Sequence, residues 1–295
     1  MDSFTIADIE RVLRGYAAGD AFGVAYEFAE TFSEVDPNLL VEKIGWPYGG
    51  VSDDTLLTLL SIQALRENTP EQARVKFLES MRAAVPQLRG LGPTTRAALG
   101  LPVKDAERHQ IGTSNGALMR CSLLGLAFKE EEKHVRREFI RQIASATHKT
   151  PKAIAAALIG SALFADARAN GEKNSIFEVA LREAGQVDID IAIDNWREPI
   201  CTGVSNDSVE TLNAVLWTAK LSTDAREALK IACELGGDTD TVAALSIALI
   251  IARKREDADF DSIPWLGDID WEEISQLNTC AGILQEIYLK EKSQV

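Results

Sequence analysis

The sequence predicts an all-α fold. Apolar residues recur at helical spacing over most of the chain, sustained period-2 alternation is nearly absent, and helix start and stop signals punctuate the periodic runs. Together these predict about a dozen helices in one compact orthogonal bundle. No fixed-period repeat, low-complexity tract or Gly/Ser linker divides the chain, so residues 1–295 read as a single domain.

In order, residues 6–19 place Ile6, Ile9, Val12, Leu13 and Tyr16 on one helical face, and Gly15 and Gly19 thin a face for close packing. Gly19-Asp20-Ala21-Phe22-Gly23 then leads into Tyr26-Glu27-Phe28. Residues 30–50, with Pro37, Pro47 and Gly45-Trp46-Pro47-Tyr48-Gly49-Gly50, read as loop. Val51-Ser52-Asp53-Asp54-Thr55 opens a leucine-rich helix, and Thr69-Pro70-Glu71 opens another with Thr as N-cap and Pro at the first helical position. Glycine-bearing turns follow at Arg89-Gly90-Leu91-Gly92 and Gly112-Thr113-Ser114-Asn115-Gly116, the second opening a helix through Leu124. Helical periodicity returns from Val135 to Ala146 and stops at Thr147-His148. Thr150-Pro151 caps an alanine-rich helix ending near Asn170-Gly171, and Ser175-Ile176-Phe177-Glu178 has the form of a capping box. The last helices span 208–221, 224–235, 241–253 and 271–290, with Gly236-Gly237 as the left-handed stop between the middle two.

Composition narrows the function classes. An apolar fraction of 46% and a charged fraction of 26% are those of an ordinary globular protein. A net charge of −14 argues against nucleic-acid phosphate as a partner, while leaving room for a small anion held by backbone N–H groups or a bound cation. No apolar run is long enough to span a membrane, and the N-terminus lacks the pattern of a signal peptide, so a cytoplasmic protein without a membrane partner is expected. Cys121, Cys201, Cys233 and Cys280 are widely spaced and suit reduced thiols. His109, His134 and His148 have no zinc-type spacing. Nothing in the sequence sets an oligomeric state.

The chemistry concentrates at helix starts. Gly236-Gly237-Asp238-Thr239-Asp240-Thr241 packs two carboxylates and two hydroxyls into a turn entering a helix that is apolar nearly all round, where a plain cap needs one such residue. With Glu27, Ser52, Asp53 and Asp54 these form an oxygen-only donor set. Five carboxylates gathered in one pocket could not all stay ionised without cations, and Mg2+ or Mn2+ suits such donors. Three separate, solvated caps are the alternative. The glycine turns at 90–92 and 112–116 either let backbone N–H groups approach a pyrophosphate or serve as ordinary turns. His148 is either a ligand contact or a helix C-cap.

These motifs stand in one order: Gly19-Asp20-Ala21-x-Gly23 with Glu27, Ser52-Asp53-Asp54-Thr55, Gly90-x-Gly92, Ser114-Asn115-Gly116-Ala117-x-Met119-Arg120, Thr147-His148 and Gly236-Gly237-Asp238-Thr239-Asp240-Thr241. Over residues 6–290 the chain resembles the ADP-ribosylglycohydrolase family, which includes dinitrogenase reductase activating glycohydrolases and the ADP-ribosyl-arginine and ADP-ribosyl-serine hydrolases. Ser208-Val209-Glu210 through Trp217 and Ile263-Pro264-Trp265 look like its weaker later motifs. The resemblance implies an all-α fold with a binuclear site for two Mg2+ (or Mn2+) ions at helix N-termini. Ser52, Asp53, Asp54, Asp238, Asp240 and Thr241 would be the metal ligands. Glu27 would be a ligand or the carboxylate acting at the scissile bond, with Asp53 and Asp240 indispensable to turnover. Gly90, Gly92, Ser114, Asn115, Gly116, Ala117 and His148 would hold the ADP-ribose diphosphate and adjoining ribose, while Arg120 pins its helix internally.

Two departures stand out: Ser52 replaces a usual Thr, and Ile247, Leu249, Ile250, Ile251 and Arg253 occupy a helix that relatives fill with glycine and alanine.

The reaction so implied is metal-dependent hydrolysis of the glycosidic bond in an ADP-ribosylated protein or ADP-ribose-containing small molecule. The acidic surface favours arginine as acceptor, with serine possible, and the 30–50 loop is the place for leaving-group contacts. The alternatives are a non-catalytic ADP-ribose-binding protein and a two-metal nucleotide phosphohydrolase.

Overall fold

A computed structural model describes residues 4–29, 34–186 and 203–290. The secondary structure of the described residues is helical, joined by turns and loops, with helices α1 (Ile6–Gly23), α2 (Asp53–Ala64), α3 (Pro70–Ala84), α4 (Pro93–Leu99), α5 (Gly116–Cys121) and α6 (Lys133–Ser145). Then come α7 (Pro151–Asn170), α8 (Ile176–Ala184), α9 (Ser208–Leu221), α10 (Ala225–Glu234), α11 (Thr239–Lys254) and α12 (Leu277–Leu289). Their extended pairing is limited to the isolated bridges Ser114–Asp207 and Val204–Gly237. Cys201 lies outside the described residues; Cys121, Cys233 and Cys280 are free and buried. No described helix is long and apolar enough to cross a membrane.

The core is organised around α1 and α11, the first buried continuously over residues 15–23 and the second over residues 239–252. A Cβ at Gly19 would lie 2.7 Å from the Ala243 backbone and from Ile247, and one at Gly23 would lie 2.5 Å from Asp240 Cα. Gly15 faces Ile251 in the same way. The bulky residues of α11 are therefore accommodated by a glycine stripe on its partner, which lets the two backbones approach closely. Arg253, at the far end of α11, donates to Asn174 O at 2.9 Å.

Several helix boundaries match the sequence pattern, and others differ for local reasons. The α5 helix ends at Cys121 and continues to Ala127 as a tighter 3-10 helix rather than reaching Leu124 as one α-helix. There Gly125 sits directly against the Ser161 backbone of α7, a contact that tolerates no side chain. Ser175 occupies the N-cap of α8 but makes no side-chain cap hydrogen bond, so the S-x-x-E pattern forms no capping box. The final helix begins at Leu277 rather than Trp271. Residues 271–276 form turns, with Trp271 Nε1 bonded to Leu266 O at 2.9 Å and Glu273 paired with Arg89.

Candidate active site

Asp20, in the last turn of α1, holds the start of α2. Its carboxylate accepts from the Ser52 N–H at 3.0 Å, the Thr55 N–H at 3.1 Å and the Thr55 hydroxyl at 2.6 Å. It thus satisfies backbone donors that a helix N-terminus leaves open. Burial pushes its pKa up to about 6, against the lowering effect of those hydrogen bonds. Ser52 completes the cap, its hydroxyl accepting from the Asp54 N–H at 3.0 Å. The Asp53 N–H donates to Arg89 O at 2.7 Å, tying the glycine turn to the same point. With the cap supplied from α1 and Ser52, the Asp53 and Asp54 carboxylates are left to face the cleft.

The start of α11 arrives beside them. The Thr239 hydroxyl donates to Gly23 O at 2.8 Å, and the Thr241 hydroxyl donates to Asp54 at 2.8 Å, with Asp238 at 3.4 Å. Gly237 has φ +79°, and a Cβ there would overlap the Val204 backbone. Only glycine fits this crossing, which aims Asp238 inward. Asn115 donates its side-chain N–H to Asp238 and to the Thr211 hydroxyl, the latter at 2.9 Å. Glu27, Asp238 and Asp240 each present an oxygen within 4.8 Å of the others.

These residues line one cleft of about 300 Å³ that also includes Gly90, Gly92, Thr95, Arg96, Ser114 and Gly116. The pKa values of Asp53, Asp54 and Asp240 are pushed well above the ordinary carboxylate range, and that of Asp238 is raised as well. Burial is the main cause, reinforced by the neighbouring carboxylates. Of the described lining residues, Arg96 alone is a lysine or arginine. Hard oxygen donors, closely grouped, buried and short of positive charge fit divalent cations of the Mg2+ or Mn2+ type.

The remaining sequence-predicted residues divide by position. Gly90 has φ +87° and a Cβ there would lie 3.0 Å from Asp53 Oδ1, so the turn runs hard against the carboxylates. Gly92, Ser114, Asn115 and Gly116 also face the cleft, whereas Ala117 and His148 are buried behind its wall. A Cβ on Gly116 would strike the His148 ring at 2.8 Å. His148 bonds Ser114 Oγ through Nε2 at 2.9 Å and Thr147 Oγ1 through Nδ1 at 2.7 Å. Burial and then the nearby Arg120 keep its pKa well below the usual histidine value, so the ring is neutral. Arg120, fully buried, donates to Gly116 O, Ile143 O, Ala144 O and Thr147 Oγ1, fastening α5 to α6.

Sequence reasoning gave no role to Asp20, Phe28, Lys43 or Arg96. Asp20 stood inside a quoted motif without an assigned partner. Lys43 pairs with Glu27 at 2.8 Å. Phe28, exposed at the cleft with a left-handed φ of +48°, is held by its N–H bond to Gly237 O at 2.8 Å. Three-dimensional placement alone reveals these last contacts.

Comparison with known proteins identifies the family and the fold. A family model described as ADP-ribosylglycohydrolase matches residues 5–291. An uncharacterised Escherichia coli (strain K12) protein, YegU, is 28% identical over 236 residues, covering 67% of this chain and 70% of its own length. A solved structure named as an ADP-ribosylglycohydrolase-related protein complex superposes with a TM-score of 0.73 at 23% identity, over 96% of this chain and 99% of that one.

Proposed function

The chain belongs to the ADP-ribosylglycohydrolase family, whose members are metal-dependent hydrolases acting on ADP-ribosylated substrates, and on that premise we propose that it releases ADP-ribose from a modified arginine or serine side chain, or from a small-molecule conjugate. The convergence of Asp53, Asp54, Asp238, Asp240 and Thr241 in a single cleft carries this reading. In the proposal these residues hold two Mg2+ or Mn2+ ions, with the Ser52 hydroxyl directly behind them. Such ions, when bound, compensate the carboxylates, orient ribose hydroxyls and make a water more nucleophilic.

The chain's own residues do the rest. Asp20 and Asn115 hold the ligand carboxylates in place, through the α2 cap and through Asp238 respectively. Gly90, Gly92 and Gly116 leave the wall bare, so a diphosphate can lie against backbone N–H groups. Arg96 offers that diphosphate the cleft's own cation. Ser114 is oriented for the same ligand by neutral His148, which acts from behind the wall. Glu27 is placed to take a proton from the attacking water. The water oxygen bonds to C1 of the ribose while the C1–acceptor bond breaks, its electron pair going to the acceptor atom. One water proton ends on the acceptor and the other stays on the new C1 hydroxyl, through an oxocarbenium-like transition state.

The test is release of free ADP-ribose from arginine- and serine-linked substrates with Mg2+, Mn2+ or EDTA. Metal-dependent release is expected. Binding of ADP-ribose without release would replace this reading with a non-catalytic binder, and inorganic phosphate as product would replace it with a phosphohydrolase.

A further inference from the structure

Large apolar side chains are not exposed evenly over the surface. Of the eleven exposed among the described residues, five (Phe28, Leu39, Val41, Ile44 and Tyr48) fall within one stretch of the sequence. Single exposed apolar residues are ordinary, whereas a group of them marks a surface that meets something. Two of the five are presented by successive turns of one design. Lys43-Ile44-Gly45-Trp46 is closed by the Trp46 N–H bond to Lys43 O at 3.0 Å, and Pro47-Tyr48-Gly49-Gly50 by the Gly50 N–H bond to Pro47 O at 3.0 Å. Gly45, at φ +79°, and Gly49, at φ +69°, take the third position, as a type II turn requires. The second position of each turn carries a large side chain. Ile44 is 100% exposed and Tyr48 51%.

Neither turn is loose. The first is tied to the cleft at both ends. Lys43 Nζ pairs with Glu27 at 2.8 Å, and a Cβ on Gly90 would stand 3.7 Å from the Trp46 ring. Glu27 and Gly90 both line the cleft. The Trp46 indole N–H also donates to Gly50 O at 3.0 Å, which joins the two turns. In the second turn, Gly49 lies so close to the Asp268 backbone that no Cβ fits, and the Asp270 N–H donates to Gly49 O at 3.1 Å. Ile44 and Tyr48 are therefore held out beside the cleft on a hydrogen-bonded backbone, so that covering them costs little further ordering.

We propose that these two turns are a docking surface for the polypeptide that carries the ADP-ribosyl group, so that the substrate is a modified protein rather than a small-molecule conjugate. The inference rests on the glycohydrolase reading above and narrows it. A small conjugate ends at the rim of the cleft. Only a chain that continues past the rim reaches side chains standing outside it. Charge sets the character of that chain. Glu34, Asp36 and Glu42 are exposed in the same loop, while its Lys43 is already paired. The complementary surface offers apolar side chains to Ile44 and Tyr48, with lysine or arginine beside them.

The experiment gives the Mg2+- or Mn2+-loaded full chain three substrates in each linkage, arginine and serine. One is the ADP-ribosylated amino acid alone, one a peptide in which leucine and lysine flank it on both sides, and one a peptide in which glycine and asparagine flank it. The wild type is expected to favour the leucine–lysine peptide over the glycine–asparagine peptide about tenfold in kcat/KM, the scale of one good interface contact. Ile44→Ser with Tyr48→Ser is expected to erase that preference and to leave release from the amino-acid conjugate unchanged, which also shows that the variant is folded. Equal rates on the two peptides in the wild type, or a preference that survives the double substitution, would overturn the docking role, while release from the amino-acid conjugate would leave the glycohydrolase reading intact. Self-association of the wild type in light scattering, lost in the double variant, would give the turns to a second copy of this chain instead. No release from any substrate would remove both readings.

Discussion

Asp53 and Asp240 sit among like charges with no basic side chain paired to them among the described residues, so each costs the cation-free protein stability in return for function. Asp53→Asn and Asp240→Asn should abolish ADP-ribose release, while thermal melts of the cation-free variants stay at or above that of the wild type. Full turnover in either would exclude the assigned role. Asp20 is the opposite case. Its three hydrogen bonds hold α2 in place, and Asp20→Ala strands buried donors, at a cost of about 2–3 kcal/mol readable by urea denaturation. Among the described residues Arg96 makes no ion pair that would occupy it. Arg96→Ala should weaken ADP-ribose binding about tenfold by calorimetry, and equal affinity would remove it from the diphosphate's surroundings.

At the scale of elements, the glycine stripe of α1 makes two separable statements. Gly19→Ala presses on the Ala243 backbone and Ile247 and should destabilise by about 1–3 kcal/mol in denaturant melts. Gly23→Ala presses on Asp240 itself, so its main effect should be a loss of kcat exceeding any loss of stability. The same pair shows what the sequence makes legible. Helical periodicity and glycine spacing mark α1 and α11 separately, and the polar clusters mark their ends. That Ile247 and Ile251 fit because Gly19 and Gly15 oppose them is a property of the pair, absent from either segment alone. The 3-10 turn after Cys121 escaped for the same reason: the contact of Gly125 with Ser161, distant in sequence, overrode local propensity. The loop of Lys43 was marked out, but its pairing with Glu27 was hidden, since a lysine in a loop has no pattern to stand out from.

For the whole molecule, the buried acids tie stability to pH and to cations together. A carboxyl whose folded pKa is raised favours the fold below its unfolded value of about 4, and that contribution is lost as pH rises through the folded value. For Asp20 the folded value is about 6, and Asp53, Asp54, Asp238 and Asp240 shift in the same direction. Cations bind the ionised acids and are displaced by protons. Mg2+ or Mn2+ should therefore raise the melting temperature more at about pH 8 than at about pH 5. An equal rise at both would show that the ions bind elsewhere.

The bond from Thr239 to Gly23 O spans 216 positions of the sequence. Half of the oxygen cluster thus reaches the other half only after nearly the whole chain has been made and the first helix has found the eleventh. Closure of so long a loop is slow compared with forming the helices themselves. No early intermediate can take up the cation, and the ion cannot template the first steps of folding. Cation uptake during refolding should lag behind the recovery of helical signal, which makes it a clock for the finished fold.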